Sequence, residues 1–164
     1  MNVMTTASYQ LERSATRKKK SGDLTGAVDD LLEVKRLAGA EYADTRLAKY
    51  LQAAGRFDEA LEEIGALISD SQHYVKTIFS HQPVTVQQCQ RAQWLMRIHK
   101  DAALICKREK RFDLAALHLL SADGYRPIVE RLRPIAEKDS KDSMIARHAQ
   151  IRLDLARHLS RRAG

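Results

Sequence analysis

An echo constrains this chain more than any other feature. From Ala53 to Glu63 it reads A-A-G-R-F-D-E-A-L-E-E, and from Lys107 to Leu117 it reads K-R-E-K-R-F-D-L-A-A-L. Aligning Gly55 with Gly22 sets Phe57 over Leu24, Ala60 over Ala27 and Ile64 over Leu31, with Ala48 over Ala15 upstream. Aligning Lys110 with Gly55 sets Phe112 over Phe57, Ala115 over Ala60, Leu119 over Ile64 and Ala103 over Ala48. Each copy therefore holds alanine at two small positions and a bulky apolar residue at two large ones. The first two copies are 33 residues apart and the third follows after 55. With a period of about 34, an insertion of about 21 residues separates copies two and three.

The background of the echo is helical. Ala, Leu, Arg, Lys, Gln and Glu dominate, while only three prolines and seven glycines interrupt 164 residues. Strong helix formers in that excess predict an all-α fold. At 44% hydrophobic residues the chain can build a core, and its length suits one domain spanning 1–164.

The pattern resembles the tetratricopeptide repeat, a pair of antiparallel helices stacked into a superhelix. The residues that carry the resemblance are Leu47-Ala48 and Leu51, then Gly55-x-Phe57-x-x-Ala60 and Ile64. In the third copy they are Ala102-Ala103, Phe112, Ala115, Leu119, Ala122 and Pro127, the last where the family often places its closing proline. The likeness covers about 11–42, 45–74 and 97–128. It departs from the family in lacking the tryptophan in every copy, in Lys110 where glycine is favoured, and in Lys18 where a large apolar residue is expected. Alanine suits places where helix backbones approach closely, and glycine suits a turn between helices.

The other segments also read as helix. Asp70 to Gln82 extends the preceding helix and turns near Ser80–Pro83. Thr85-Val86-Gln87-Gln88 has the form of a capping box opening a helix that runs to about Lys110. The insertion, about 75–96, is apolar through Val75, Ile78, Phe79, Val84, Val86 and Trp94, which suits covering its own repeats. Over 139–162, Met144, Ile145, His148, Ile151, Leu155 and Leu159 share one side, with Arg147, Arg157, Arg161 and Arg162 largely elsewhere. A capping helix with one polar face is expected there, as a stack of repeats requires.

Motifs for chemistry are missing. The sequence has no Gly-rich phosphate loop, no His-Glu-x-x-His, no Gly-x-Ser-x-Gly and no EF-hand spacing. Cys89 and Cys106 are seventeen apart with no Cys-x-x-Cys pair, so no disulfide framework is expected. His99 and Cys106 share a helix face, and both read as packing residues rather than metal ligands. Asp29-Asp30, Asp58-Glu59 and Glu62-Glu63 are helix neighbours about 100° apart, a solvated face rather than an acid–base pair. The reading is a non-enzymatic protein with no metal and no cofactor. With no signal-like start and no membrane-length apolar run, a cytoplasmic location is expected.

Charge supplies the functional expectation. The net charge is +7, but residues 23–71 carry eleven acids against five bases, while 72–138 carry twelve bases against six acids. In the repeat family the first helix of each pair lines a concave groove that holds the ligand. The resemblance maps that side onto Tyr9, Glu12, Thr16, Lys19 and Lys20, then Tyr42, Thr45, Lys49, Gln52 and Ala53, then Arg97, Lys100, Leu104, Lys107 and Arg108. Seven of these fifteen are basic and one is acidic. The acids fall on the second helices, Asp29 to Glu33 and Asp58 to Glu63. The leading expectation is an adaptor, chaperone or assembly factor whose basic groove binds an acidic segment or C-terminal carboxylate of another protein. A second is sequence-independent nucleic-acid binding through R-S-A-T-R-K-K-K at 13–20 and R-H-L-S-R-R at 157–162, although aromatics are only 5% of the chain. A third is self-association, with basic groove against acidic back or insertion against a second copy.

Overall fold

A computed structural model describes residues 6–162, with side chains described over 6–154. Met1–Thr5 and the side chains of Leu155, Arg157, Leu159, Arg161 and Arg162 lie outside that description. Among the described residues the chain forms α1 (Thr6–Ser21), α2 (Leu24–Ala38), a 3-10 turn (Gly39–Glu41), α3 (Arg46–Ala53), α4 (Phe57–Ile78), α5 (Val84–Arg108) and α6 (Phe112–Arg162), and no strand. The all-α expectation holds. None of the described helices is long and apolar enough to cross a membrane.

The echo marks three turns of one construction. At the end of α1, Gly22 N–H donates to Lys19 O (3.2 Å) and Asp23 N–H to Lys18 O (2.9 Å). After α3, Gly55 donates to Gln52 O (3.0 Å) and Arg56 to Leu51 O (2.9 Å). After α5, Lys110 donates to Lys107 O (3.1 Å) and Arg111 to Cys106 O (2.9 Å). Crossed bonds of this kind close a helix around one residue in the left-handed region. That residue is Gly22 (φ 89°), Gly55 (φ 78°) and Lys110 (φ 59°). Each following helix then opens with an alanine N–H on the carbonyl of the residue after the turn: Ala27 to Asp23, Ala60 to Arg56, Ala115 to Arg111.

The three hairpins are α1/α2, α3/α4 and α5/α6, with α2 also against α3, and α4 and α3 against α5. Ala15, Ala27, Ala48, Ala60, Ala103 and Ala115 are all at most 1% exposed. A larger side chain there would push helix backbones apart. The first four share the main core with Leu31, Leu47, Ile64, Leu95, Ile98 and Ile105, while Ala103 and Ala115 share a second with Cys106. Leu31 and Ile64 are buried, but their counterpart Leu119 is 38% exposed and Phe112 is 65% exposed. The reason is position. The next hairpin covers α2 and α4, whereas the extensive neighbour of α6 is α5 alone.

Residues 75–96 lengthen both α4 and α5, with the connection at 79–83 as the sequence suggests. Tyr74 meets Trp94 at 5.9 Å between ring centroids, and Arg91 donates to the buried Ser71 hydroxyl. The capping-box reading of Thr85 needs correction. The helix already starts at Val84 after an extended Pro83, and no side chain caps it. A proline's fixed φ sets the entry, which frees the Thr85 hydroxyl to donate to Asp139 of α6.

The long α5 carries a long α6. Ala115, His118, Ala122, Tyr125, Val129, Leu132, Ala136, Asp139 and Ser143 alternate spacings of three and four, and all are buried or half-buried. This is the seam of an antiparallel coiled pair, seen again in Val86 and Cys89 packed with Leu132 and Ala136. Pro127 therefore does not close the third unit. The helix continues through it and through Pro134, seven residues on and also exposed. Both lie away from the seam, so the carbonyls left without partners face water. No new helix starts at Asp139. Residues 139–162 prolong α6, and beyond Ser143 they have outrun the start of α5, leaving Met144, Ile145 and Ile151 exposed.

Lys110 stands where the other two turns use glycine, and a left-handed backbone costs a side-chain-bearing residue about 1–2 kcal/mol. Lys110→Gly is expected to raise stability by about 0.5–1 kcal/mol after the added unfolded-chain entropy is counted. Gly55→Ala is expected to lower it by a similar amount. Urea midpoints of the two variants check this, and no gain from Lys110→Gly would contradict the turn assignment.

Candidate binding face on the first helices

The helices α1, α3 and α5 are tied side by side through polar side chains. Arg46 of α3 pairs with Glu12 of α1 at 2.8 Å, and the Lys19 ammonium lies over the Tyr50 ring at 4.6 Å from its centroid. Between α3 and α5, Lys49 pairs with Asp101 (2.8 Å), and the Thr45 hydroxyl donates to the other oxygen of the same carboxylate (2.6 Å). Gln52 donates to Glu109 (2.7 Å) and accepts from Arg108 (3.4 Å).

These links sort the residues expected to meet a partner. Lys19, Lys49 and Gln52 join neighbouring helices, so their polar groups are already engaged. Tyr42 is buried and lies ahead of α3, which begins at Arg46. The helical spacing that placed Tyr42 on this face does not extend to residues before the helix. Burial first, then the nearby charges of Asp44 and Glu63, holds its phenol well above the usual range. Tyr9, Lys20, Arg97, Lys100, Leu104, Lys107 and Arg108 are exposed.

A basic stripe remains open on α5. Arg97, Lys100, Leu104 and Lys107 follow spacings of three, four and three, which places them on one face. Among the described residues, no ion pair engages Arg97, Lys100 or Lys107. Arg97 also borders a hollow of about 320 Å³ walled by Tyr74, Phe79 and Trp94. Sequence reasoning marked Phe79 and Trp94 as apolar but did not place them beside Arg97. That placement depends on the end of α4 packing against the first part of α5 across the 79–83 connection.

Acidic residues lie on the second helices and many are matched internally. Asp30 pairs with Lys18, Glu33 with Arg36, Glu59 with Arg56, and buried Glu63 with Lys35. Burial pushes the Asp30 carboxyl up, but hydrogen bonds from Lys18 and Ser14 and the charges of Lys18 and Arg17 together hold it below its usual range. Among the described residues no group of three or more His, Cys, Asp and Glu side chains could hold a metal ion. Cys89 and Cys106 are both free and buried, and burial pushes the Cys106 thiol up. His99 turns toward α6, where its Nδ1 lies 3.0 Å from Nδ1 of His118 and its ring stacks on Tyr125.

No protein-family model matches this chain, and no curated protein or solved structure does so either.

The histidine pair makes a pH prediction. Burial lowers both imidazoles below their usual value, and the neighbouring His118 lowers His99 further. The unfolded chain therefore binds protons first, near the ordinary pKa of about 6.5. Stability from keeping this pair neutral is present above that pH and is lost as pH falls below it. Among the described residues no carboxylate pairs with either ring, and Tyr125 is the stacked neighbour. Melting temperatures at pH 7.5 and pH 5 are expected to differ less in His118→Gln than in the wild type; parallel losses would sink the assignment.

Proposed function

We propose that this chain is a non-enzymatic interaction scaffold of the tetratricopeptide-like kind, holding an acidic segment of a partner protein along α5. The observation that supports this most is the open stripe of Arg97, Lys100 and Lys107 around exposed Leu104. On α3, by contrast, the cations are spent on neighbours, Arg46 on Glu12 and Lys49 on Asp101. Cations left without counter-ions are free to make charge-assisted bonds with carboxylates. The aromatic hollow beside Arg97 would take one apolar side chain of the partner, which gives direction to an otherwise diffuse attraction.

Nucleic-acid binding is the second reading. Arg13, Arg17 and Lys20 are exposed on one face of α1 with Tyr9, whose ring lies 5.8 Å from the Arg13 guanidinium carbon. Such a face would contact phosphates without reading sequence.

Fluorescence anisotropy of two probes separates the readings: a labelled peptide rich in Asp, Glu and Leu, and a labelled single-stranded oligonucleotide. Arg97→Glu/Lys100→Glu is expected to weaken peptide binding by about tenfold or more, whereas Arg13→Glu/Arg17→Glu leaves it unchanged. If the oligonucleotide binds tighter, falls steeply with salt and responds to the α1 variant, the scaffold reading fails.

A further inference from the structure

A cleft of about 440 Å³ opens where the end of α4, the start of α5 and the middle of α6 come together. Three cations line it, one from each helix: Lys76, Arg91 and Arg131. Gln72, Gln87 and Gln88 add amides to the wall, and no carboxylate lines it. Ala92, Leu95, Tyr125 and Leu132 supply apolar surface. This composition breaks the habit of the molecule. Elsewhere three cations that reach across to another helix meet a carboxylate there: Lys18 meets Asp30, Lys35 meets Glu63 and Lys49 meets Asp101.

Arg91 is half-buried, and its Nε donates to the hydroxyl of fully buried Ser71 at 3.2 Å. That bond anchors one edge of the guanidinium on α4 and leaves its other N–H groups for a ligand. Gathering three like charges around one hollow opposes folding, and an anion seated among them relieves the repulsion. The volume lies within the range of small-molecule sites, which pair apolar walls with a few converging polar groups.

We propose that this cleft is a binding site for a small amphipathic anion: a carboxylate or phosphate head on an apolar or aromatic body. The head sits among Lys76, Arg91 and Arg131, where a guanidinium can grip two oxygens at once. The body lies on Leu95, Tyr125 and Leu132. The site exists because the insertion lengthens α4 and α5 alongside α6; without residues 75–96 neither Lys76 nor Arg91 would be present. It is separate from the stripe of Arg97, Lys100 and Lys107, so either can fail without the other.

The test is a two-dimensional amide NMR titration of the full chain with phenyl phosphate and with octanoate, using inorganic phosphate and phenol as half-ligands. One or both amphipathic anions are expected to shift amides over 87–92 and 125–132. Arg91→Gln and Arg131→Gln should each weaken that binding by about tenfold, while Arg97→Gln leaves it unchanged. Arg131 is exposed, so its variant keeps the fold. Tighter binding of phenyl phosphate would identify phosphate as the preferred head, and tighter binding of octanoate a fatty carboxylate. The proposal is overturned if neither anion binds at millimolar concentration, if both variants bind as the wild type does, or if inorganic phosphate alone binds equally well.

Discussion

The close approach of helices across alanine is the constraint on which the rest of this structure depends. Each hairpin places one alanine in its first helix and one five residues past its left-handed turn residue, and the six together are sealed from water. A methyl group is the largest side chain that lets two helix backbones meet without a gap or a clash. The turns cooperate, because their crossed hydrogen bonds fix where the returning helix starts and therefore which of its faces carries the alanine. Small residues continue this logic along the third hairpin, where Ala92, Ala122, Ala136 and Cys89 are all buried.

From that packing follows the division of charge. With α1, α3 and α5 tied by Glu12–Arg46, Thr45–Asp101, Lys49–Asp101 and Gln52–Glu109, the outer face of α5 is left with more cations than it can pair. The second helices carry most acids of 23–71, and their best-buried carboxylate, Glu63, is held by Lys35. Length has the other large effect. Because α5 begins only at Val84, α6 is supported past Asp139, where Thr85 meets it, and only beyond Ser143 continues without a neighbour. The exposed Phe112 and Leu119 belong to the same logic, since no described helix occupies the side of α6 that corresponds to the covered sides of α2 and α4.

Local features were legible in the sequence: the turns at Gly22, Gly55 and Lys110, the alanine pairs, the break near Pro83 and the long helix after it. Each depends on spacings within a few residues. The features that were not legible depend on partners far along the chain. Nothing near Lys49 announces Asp101, and nothing near Thr85 announces Asp139. Tyr42 was placed by extending helical spacing to a residue that lies before its helix, so it is buried where an exposed contact was expected. Pro127 reads as a stop, yet the extended α5 gives α6 a reason to continue, and Pro134 repeats the exposed position one heptad later. The cationic cleft was invisible for the same reason, since Lys76, Arg91 and Arg131 come from three helices and carry no shared motif. The basic stripe of α5, by contrast, lies within one helix and could be read directly.

One comparison tests the alanine constraint most directly: the unfolding free energies of Ala103→Leu and Ala116→Leu, measured in urea. Both add the same side chain to a helix, but Ala103 is sealed between hairpin partners and Ala116 faces water. The account predicts that Ala103→Leu loses about 1–3 kcal/mol through overpacking, while Ala116→Leu stays within about 0.5 kcal/mol of the wild type. Equal stability of the two variants would contradict it.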